Sequence, residues 1–440
     1  MTVSFSDSIA LHANALTLRE KRNEILASNI ANAATVGAKL SRAEFAGVYA
    51  SANSAQASSD AGMGVEISSV MQQFTQGPVR TTENPLDVAI NGTGFFQVTR
   101  ADGSDAAYTR NGQFHLDATG YVVNSQGMRL QGFPIDAATG RAGGVAGSIN
   151  LPTQGIAPQV TRNAGVALNL DGRTAAPTGA TPAFSLSDPS SYTASTALSV
   201  YDQQGNEQVV SLYFRRTAVD NQWDVYAALN GNAVPPVAAG VQPPAGRLAF
   251  GPDGTFDAAA SGTLAGGVLA PGALTLDLPF SVATLPVTGG TATTAPVDLT
   301  FAGSTQFGRS FGVTAVSQDG FTAGQLTGYG VNADGLLEAR YSNGKTLGAA
   351  RIALADFRNS QGLAPAGGNL WRATPASGQP ALGGPGSANL GLLQGGALED
   401  SNIDITAQLV EMITAQRAYQ ANAQTIKTQD QMMSTLVNLR

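Results

Sequence analysis

Cysteine is absent from the chain, which excludes disulfides, a thiolate nucleophile and any cysteine-based metal site. Histidine is nearly absent. His12 and His115 have no companion at metal-ligand spacing, so no metal site is expected. Charged residues make up only 12% and the balance is acidic, at −7 with a sequence pI near 4.9. Phosphate binding needs a surplus of Lys and Arg on one face, so no nucleic-acid partner is expected; the adjacent pair Arg215 and Arg216 reads as a solvated strand end. No apolar run reaches the ~18 residues of a membrane span, and no membrane insertion is expected. The opening MTVSFSDSIALHANALTLREKRN lacks the basic start, apolar centre and small-residue cleavage site of a secretory signal. If the chain leaves the cell, another route is expected to carry it. A chain without thiols would pass unfolded through a channel without cross-linking.

Glycine and proline, 52 and 21 in number, are missing from Ser401–Arg440. Ile405, Met412, Tyr419, Ile426 and Met433 recur there every seventh residue, with Leu409 and Val437 one helical step away. The spacing predicts an amphipathic helix roughly 55 Å long at ~1.5 Å per residue. A second is predicted over residues 5–34, where Leu11, Leu18 and Ile25 form one column and Ile9, Leu16, Leu26 and Ile30 widen it. Helices this long at the two ends of a chain have little of their own protein to pack against, so they are expected to pair as a coiled-coil-like terminal domain.

Between them the texture is β. Residues 35–64 read as a linker, ending in the small-residue run SANSAQASSDAGMG. Residues 65–134 and 301–400 alternate apolar and polar residues between turns such as Asn91-Gly92, Asp117–Gly120 and Asn124–Gly127, and read as one discontinuous inner β-domain. Residues 135–300 read as an inserted outer β-domain with turns at Gln203–Asn206 and Pro252-Asp253-Gly254. Asn343-Gly344 predicts a two-residue hairpin turn. The expected fold is mainly β, with two or more β-rich domains nested between N- and C-terminal helices.

Several of these stretches resemble a known family. SNIANAATVGAK with SRAEFAGVYA, NPLDVAINGTGFFQV, VYDQQGNEQ with LYF, VNADGLLEARYSNGK and, most specifically, NIDITAQLVEMITAQRAYQANAQ are similar to segments of the bacterial flagellar axial proteins, the rod and hook subunits. The resemblance implies a structural subunit of the hook, a curved hollow tube acting as a flexible joint that transmits motor torque to the filament. It implies a homopolymer that meets rod and hook-filament junction proteins at its two ends, with the hook cap and the flagellar export apparatus as partners during assembly. It also implies an extracellular location in the flagellum, reached without a cleaved signal. The assembly interface is expected at Leu11, Leu18, Ile25, Asn29, Ile30, Asn32, Leu409, Met412, Gln416, Tyr419, Ile426, Met433 and Val437, with Gln424 a further polar register contact. A charged first helix and Ala38, where the family has an aromatic residue, keep a rod subunit as the alternative.

Catalytic readings are weaker. Gly308-Arg309-Ser310-Phe311-Gly312 fits the nucleophile-elbow pattern, but no histidine follows Ser310 and both neighbours read as β. Asn343-Gly344-Lys345-Thr346 is like the end of a phosphate loop, but Ala339 stands where its first glycine belongs. No catalytic residue and no cofactor is expected. A secreted hydrolase using Ser310 and a β-rich adhesin are the other classes, and neither explains two long terminal helices.

Overall fold

The computed structural model describes residues 5–47, 65–135, 141–175, 183–235, 241–280 and 293–438. Strands dominate, and two long helices close the chain: α1 is Phe5–Asn32 and α2 is Ile405–Asn438. The fold is mainly β with its helices at the two ends, as the residue patterns predict. Helix α2 begins after Ser401 because Asp404 accepts hydrogen bonds from the Thr406 and Ala407 amides at 2.9 and 3.2 Å, capping the first turn.

The chain divides into two compact units. One comprises Met1–Thr153, Thr327–Arg340 and Thr346–Arg440; the other comprises Gln154–Leu326 and Tyr341–Lys345. The first holds both helices and a sheet in which Phe95–Thr99 lies between Arg129–Pro134 and Ala107–Thr109. Its core is apolar and aromatic: Ile90, Phe96, Phe114, Leu130, Ile352 and Leu354 are buried, with Phe96 edge-on to Phe114 at 5.3 Å. A smaller cluster of Phe95, Tyr108, Phe357 and Trp371 packs beside Phe74. Within the stretch read as a linker, Leu40–Gly47 forms a strand antiparallel to Val65–Gln73, pairing from Leu40 with Gln73 to Gly47 with Val65. Residues 48–64 lie outside the described residues.

The second unit has a seven-stranded and a four-stranded sheet. Along Glu207–Arg216 the alternation buries Val210, Leu212 and Phe214. These meet Trp223, Leu168, Leu170 and Phe301 in one core. The Trp223 indole N–H is satisfied by Gln306 Oε1 at 3.2 Å.

One turn recurs in both units. In Asp117–Gly120, Asn124–Gly127, Asp202–Gly205 and Asn332–Gly335 the glycine amide donates back to the Asp or Asn carbonyl. The Asp or Asn amide in turn donates to the residue after the glycine. Each glycine takes a positive φ, between 74° and 87°, which a side chain would resist. Tyr341–Gly344 follows the same pattern, with Gly344 at φ 77° and Tyr341 N donating to Lys345 O at 3.0 Å. The hairpin predicted there as a two-residue turn is thus a three-residue loop, because Asn343 keeps a negative φ and only Gly344 goes left-handed.

Candidate assembly site

Helices α1 and α2 lie side by side and antiparallel. Asn29 of α1 meets Gln408 of α2 at 3.0 Å, and the earlier Arg22 meets the later Glu411 at 3.7 Å. Along α2 the covered positions include Gln408, Met412, Ala415, Tyr419, Asn422, Ile426 and Gln429, steps of four and three that define a coiled-coil seam, with Ala418 and Ala423 half-covered beside it. On α1 Leu26 and Asn29 are buried, and Leu18, Ile25 and Ile30 are half-buried.

The seam brings together part of the expected set. Met412, Tyr419 and Ile426 lie on it, half-covered, and Asn29 is buried at its base. Leu409 does not join it and remains 44% exposed. Its neighbour Gln408 takes the inward position, and a residue one step along lies about 100° around the helix. Asn32 points away from α2 and donates to its own helix at Ser28 O, 2.9 Å, while Gln416 and Gln424 are exposed. The side chains of Leu11, Met433 and Val437 lie outside the described residues.

Polar contacts fasten the roots of both helices to the β-sheet unit. Asn29 Nδ2 also donates to Ser41 O at 2.8 Å, and its Oδ1 accepts from Ser41 N at 3.0 Å. Asn402, just before α2, accepts from Leu40 N at 2.8 Å and donates to Gln73 O and Thr75 Oγ1 at 2.9 and 2.8 Å. Beneath them lies a fully buried carboxylate. Glu399 Oε1 accepts from Lys39 Nζ at 2.6 Å and Gly77 N at 2.9 Å, and Oε2 accepts from Arg110 Nη1 at 3.1 Å.

Two cations face one carboxylate there, so one positive charge is left over. Carbonyl oxygens take it up: Thr75 O accepts from Lys39 at 2.7 Å and Gly92 O from Arg110 at 2.8 Å. Burial pulls the Lys39 ammonium and the Arg110 guanidinium below their ordinary pKa values, with the Glu399 carboxylate opposing the shift in both. Gly37, at φ 71°, donates to Glu399 O at 2.8 Å, and a Cβ there would stand 2.7 Å from the Arg110 carbonyl carbon. The chain passes this point only as glycine.

Sequence patterns carry no signal for this node. Lys39, Arg110 and Glu399 sit in three unrelated segments, and single charges of this kind ordinarily read as surface. The geometry also closes two catalytic readings. Ser310 is exposed and runs into the strand Gly312–Gln318 where an elbow requires a helix. Asn343-Gly344-Lys345 is the hairpin tip, with Lys345 Nζ 5.3 Å from the Phe321 ring centre.

Comparison with known proteins gives this construction a class. Residues 9–39 match the family described as flagella basal body rod protein, and 394–439 match the flagellar basal body rod FlgEFG protein C-terminal family. Residues 89–172 match the flagellar hook protein FlgE/F/G D1 domain, and 169–321 the flagellar basal body protein FlaE D2 domain. The two β-sheet units and their terminal helices are those of a flagellar axial protein. The chain is 38% identical to the flagellar hook proteins FlgE of Salmonella typhimurium and Escherichia coli, across all of each chain. It is 31% identical to that of Borreliella burgdorferi across 96% of each. It belongs to the flagellar hook protein FlgE family. The crystal structure of Helicobacter pylori flagellar hook protein FlgE2 shares the fold, with a TM-score of 0.50 at 14% identity, covering 73% of this chain and 100% of that one.

Proposed function

We propose that the chain is a structural subunit of the flagellar hook that polymerises through α1 and α2 into a curved hollow tube. The observation that carries this is the incomplete covering of the helix pair. Met412, Tyr419 and Ile426 on the seam stay half-exposed in a single chain, while Ile405, Leu409, Val410 and Ile413 are 44–60% exposed. Two helices leave such side chains in water, and the same helices of neighbouring copies supply the missing surface. Burying five of them at ~1.5–3 kcal/mol each gives a gross drive of about 10 kcal/mol, reduced by the entropy of ordering.

The assembly residues in this reading are Leu11, Leu18, Ile25, Asn29, Ile30, Met412, Tyr419, Ile426, Met433 and Val437 along the helix pair, with Leu409, Asn32 and Gln416 turned toward neighbours. The tube serves as a flexible joint passing motor torque to the filament, and meets rod and junction proteins at its ends. The export apparatus delivers the chain unfolded to the hook cap, without a cleaved signal, and the missing thiols suit that passage. Nothing in this role calls for catalysis or a cofactor.

Electron microscopy of the purified chain at high concentration tests the reading. Curved tubes are expected; straight rods would favour a rod subunit, and monodisperse particles would contradict assembly of either kind.

A further inference from the structure

The segment from Gly391 to Asn402 is strapped across the N-terminal part of its own unit. Leu392–Gly395 pairs with Val88–Asn91 and Ala397–Glu399 with Val79–Thr81, each a two-stranded sheet. Ala397, Leu398 and Glu399 are buried, and backbone bonds run from Gly396 N to Asp87 O at 2.8 Å and from Asp400 N to Pro78 O at 2.9 Å. Glycines permit the close fit. A Cβ at Gly77 would stand 2.1 Å from Asp400 O, and one at Gly391 2.4 Å from Asn91 O.

What the strap holds is the root of α1. The strands Leu40–Gly47 and Val65–Gln73 also form a sheet of only two, which is marginal in water without packing. Ties from far along the chain hold this pair. Asn402 accepts from Leu40 N and donates to Gln73 O, while Trp371 Nε1 and Gln361 Nε2 donate to Gln72 at 2.5 and 2.8 Å. Glu399 O accepts from Gly37 N, and the Glu399 carboxylate answers the Lys39 ammonium. Before that carboxylate arrives, burying Lys39 and Arg110 would leave two cations without a counter-charge, which costs more than keeping them in water.

The second unit has no such dependence. It runs from Gln154 to Leu326 with Tyr341–Lys345, and its flanks close on each other, Ile156 and Gly324 exchanging backbone bonds at 2.9 and 3.1 Å. Lys39 and Glu399 lie 360 residues apart in the open chain. Folding the second unit first shortens the loop that the strap must close and lowers the entropy lost on closing it.

We propose that the segment from Gly391 to Asn402 is a latch: the root of α1 and its strand pair stay open until this segment seats, and one closing step then fixes the roots of both helices. The second unit folds before that step. The closing step stands on these contacts alone. Its consequence, that only a chain delivered through Asn402 presents both helices for assembly, rests on the hook-subunit reading.

Hydrogen-exchange mass spectrometry on the full chain, kept too dilute to assemble, tests the latch in two ways. In pulse-labelled refolding from urea, Glu207–Leu229 is expected to gain protection first. Leu40–Gly47 and Val65–Gln73 should follow at the rate of Leu392–Gly395. At equilibrium the probe is Gly77→Ala, whose new methyl has its nearest neighbours in Asp400 and Ser401. Exchange is expected to rise about tenfold or more across the strand pair and Ala397–Glu399 together, with Glu207–Leu229 unchanged and Phe95–Thr99 far less affected. Should Gly77→Ala not fold, the refolding order of the unmodified chain decides alone. Protection of the strand pair ahead of Leu392–Gly395, its survival in Gly77→Ala, or an equal loss at Phe95–Thr99 overturns the latch and leaves the hook-subunit reading intact. Failure of the unmodified chain to form tubes overturns that reading and leaves the closing step intact.

Discussion

Asn29 and Gln408 stand 379 residues apart in sequence and meet at 3.0 Å in a buried contact. The amide of Asn29 serves at once as cap to the backbone of the strand Leu40–Gly47 at Ser41 and as the polar rung between α1 and α2. A polar rung in a helix seam sets register, since any slip strands both amides in an apolar setting. Asn29→Ala is expected to cost about 1–3 kcal/mol by leaving buried groups unpaired. The double change with Gln408→Ala should recover part of that loss, a coupling measurable by urea unfolding as a double-mutant cycle. Strictly additive losses would show that the contact carries no register.

Glu399→Gln removes the charge between Lys39 and Arg110 while keeping the shape. Two buried cations then face each other without a counter-charge, and the loss expected is about 3–5 kcal/mol. Calorimetry should show the unit containing Glu399 melting earlier and the unit built around Trp223 unchanged. Equal shifts in both transitions would contradict the assignment of this node to the helix roots.

Acid should weaken both units through their turns. Asp102, Asp117, Asp188 and Asp253 each accept a hydroxyl hydrogen bond from the Ser or Thr two residues on. That bond holds each carboxyl below its ordinary range. The bond from the Arg173 guanidinium brings Asp171 to about 2. Below the unfolded value of ~3.9 the unfolded chain binds protons that the native turns still refuse. The stabilisation is therefore complete above that value and is lost as pH falls through the lowered native values. Urea midpoints measured from pH 5 to pH 2 should fall in that window. Asp117→Asn with Asp253→Asn keeps the turn acceptors and should flatten the slope. An unchanged slope would remove the turns as its source.

Tyr419→Asp places a charge on the covered face of α2. Sedimentation should show assembly abolished, while thermal melting of the β-sheet units stays within about 0.5 kcal/mol of the unmodified chain. A shift in that melting would mean that the seam supports the sheets rather than the polymer.

Much of this was legible along the chain because it is local. The absence of Gly and Pro after Ser401 and the recurrence of Met412, Tyr419 and Ile426 at every seventh residue mark α2, and Gly120, Gly127 and Gly205 mark turns. Leu409 lies one step outside the seam within the chain, because the partner amide of Asn29 turns Gln408 inward. The node at Glu399 was not legible, since its partners Lys39 and Arg110 lie 360 and 289 residues away and become neighbours only when the chain has folded. The stretch free of Gly and Pro starts at Ser401, but Ser401–Asp404 belongs to the root, where Asn402 is clamped by Leu40, Gln73 and Thr75.

That last point sets where to cut. A chain ending at Asp404 keeps Glu399 and Asn402 and loses α2, so its sheets should fold as in the full chain. Analytical sedimentation under conditions in which the full chain forms tubes measures the central claim. A folded monomer that never sediments as polymer is the expected result; tubes from the truncated chain would contradict assembly through the terminal helices.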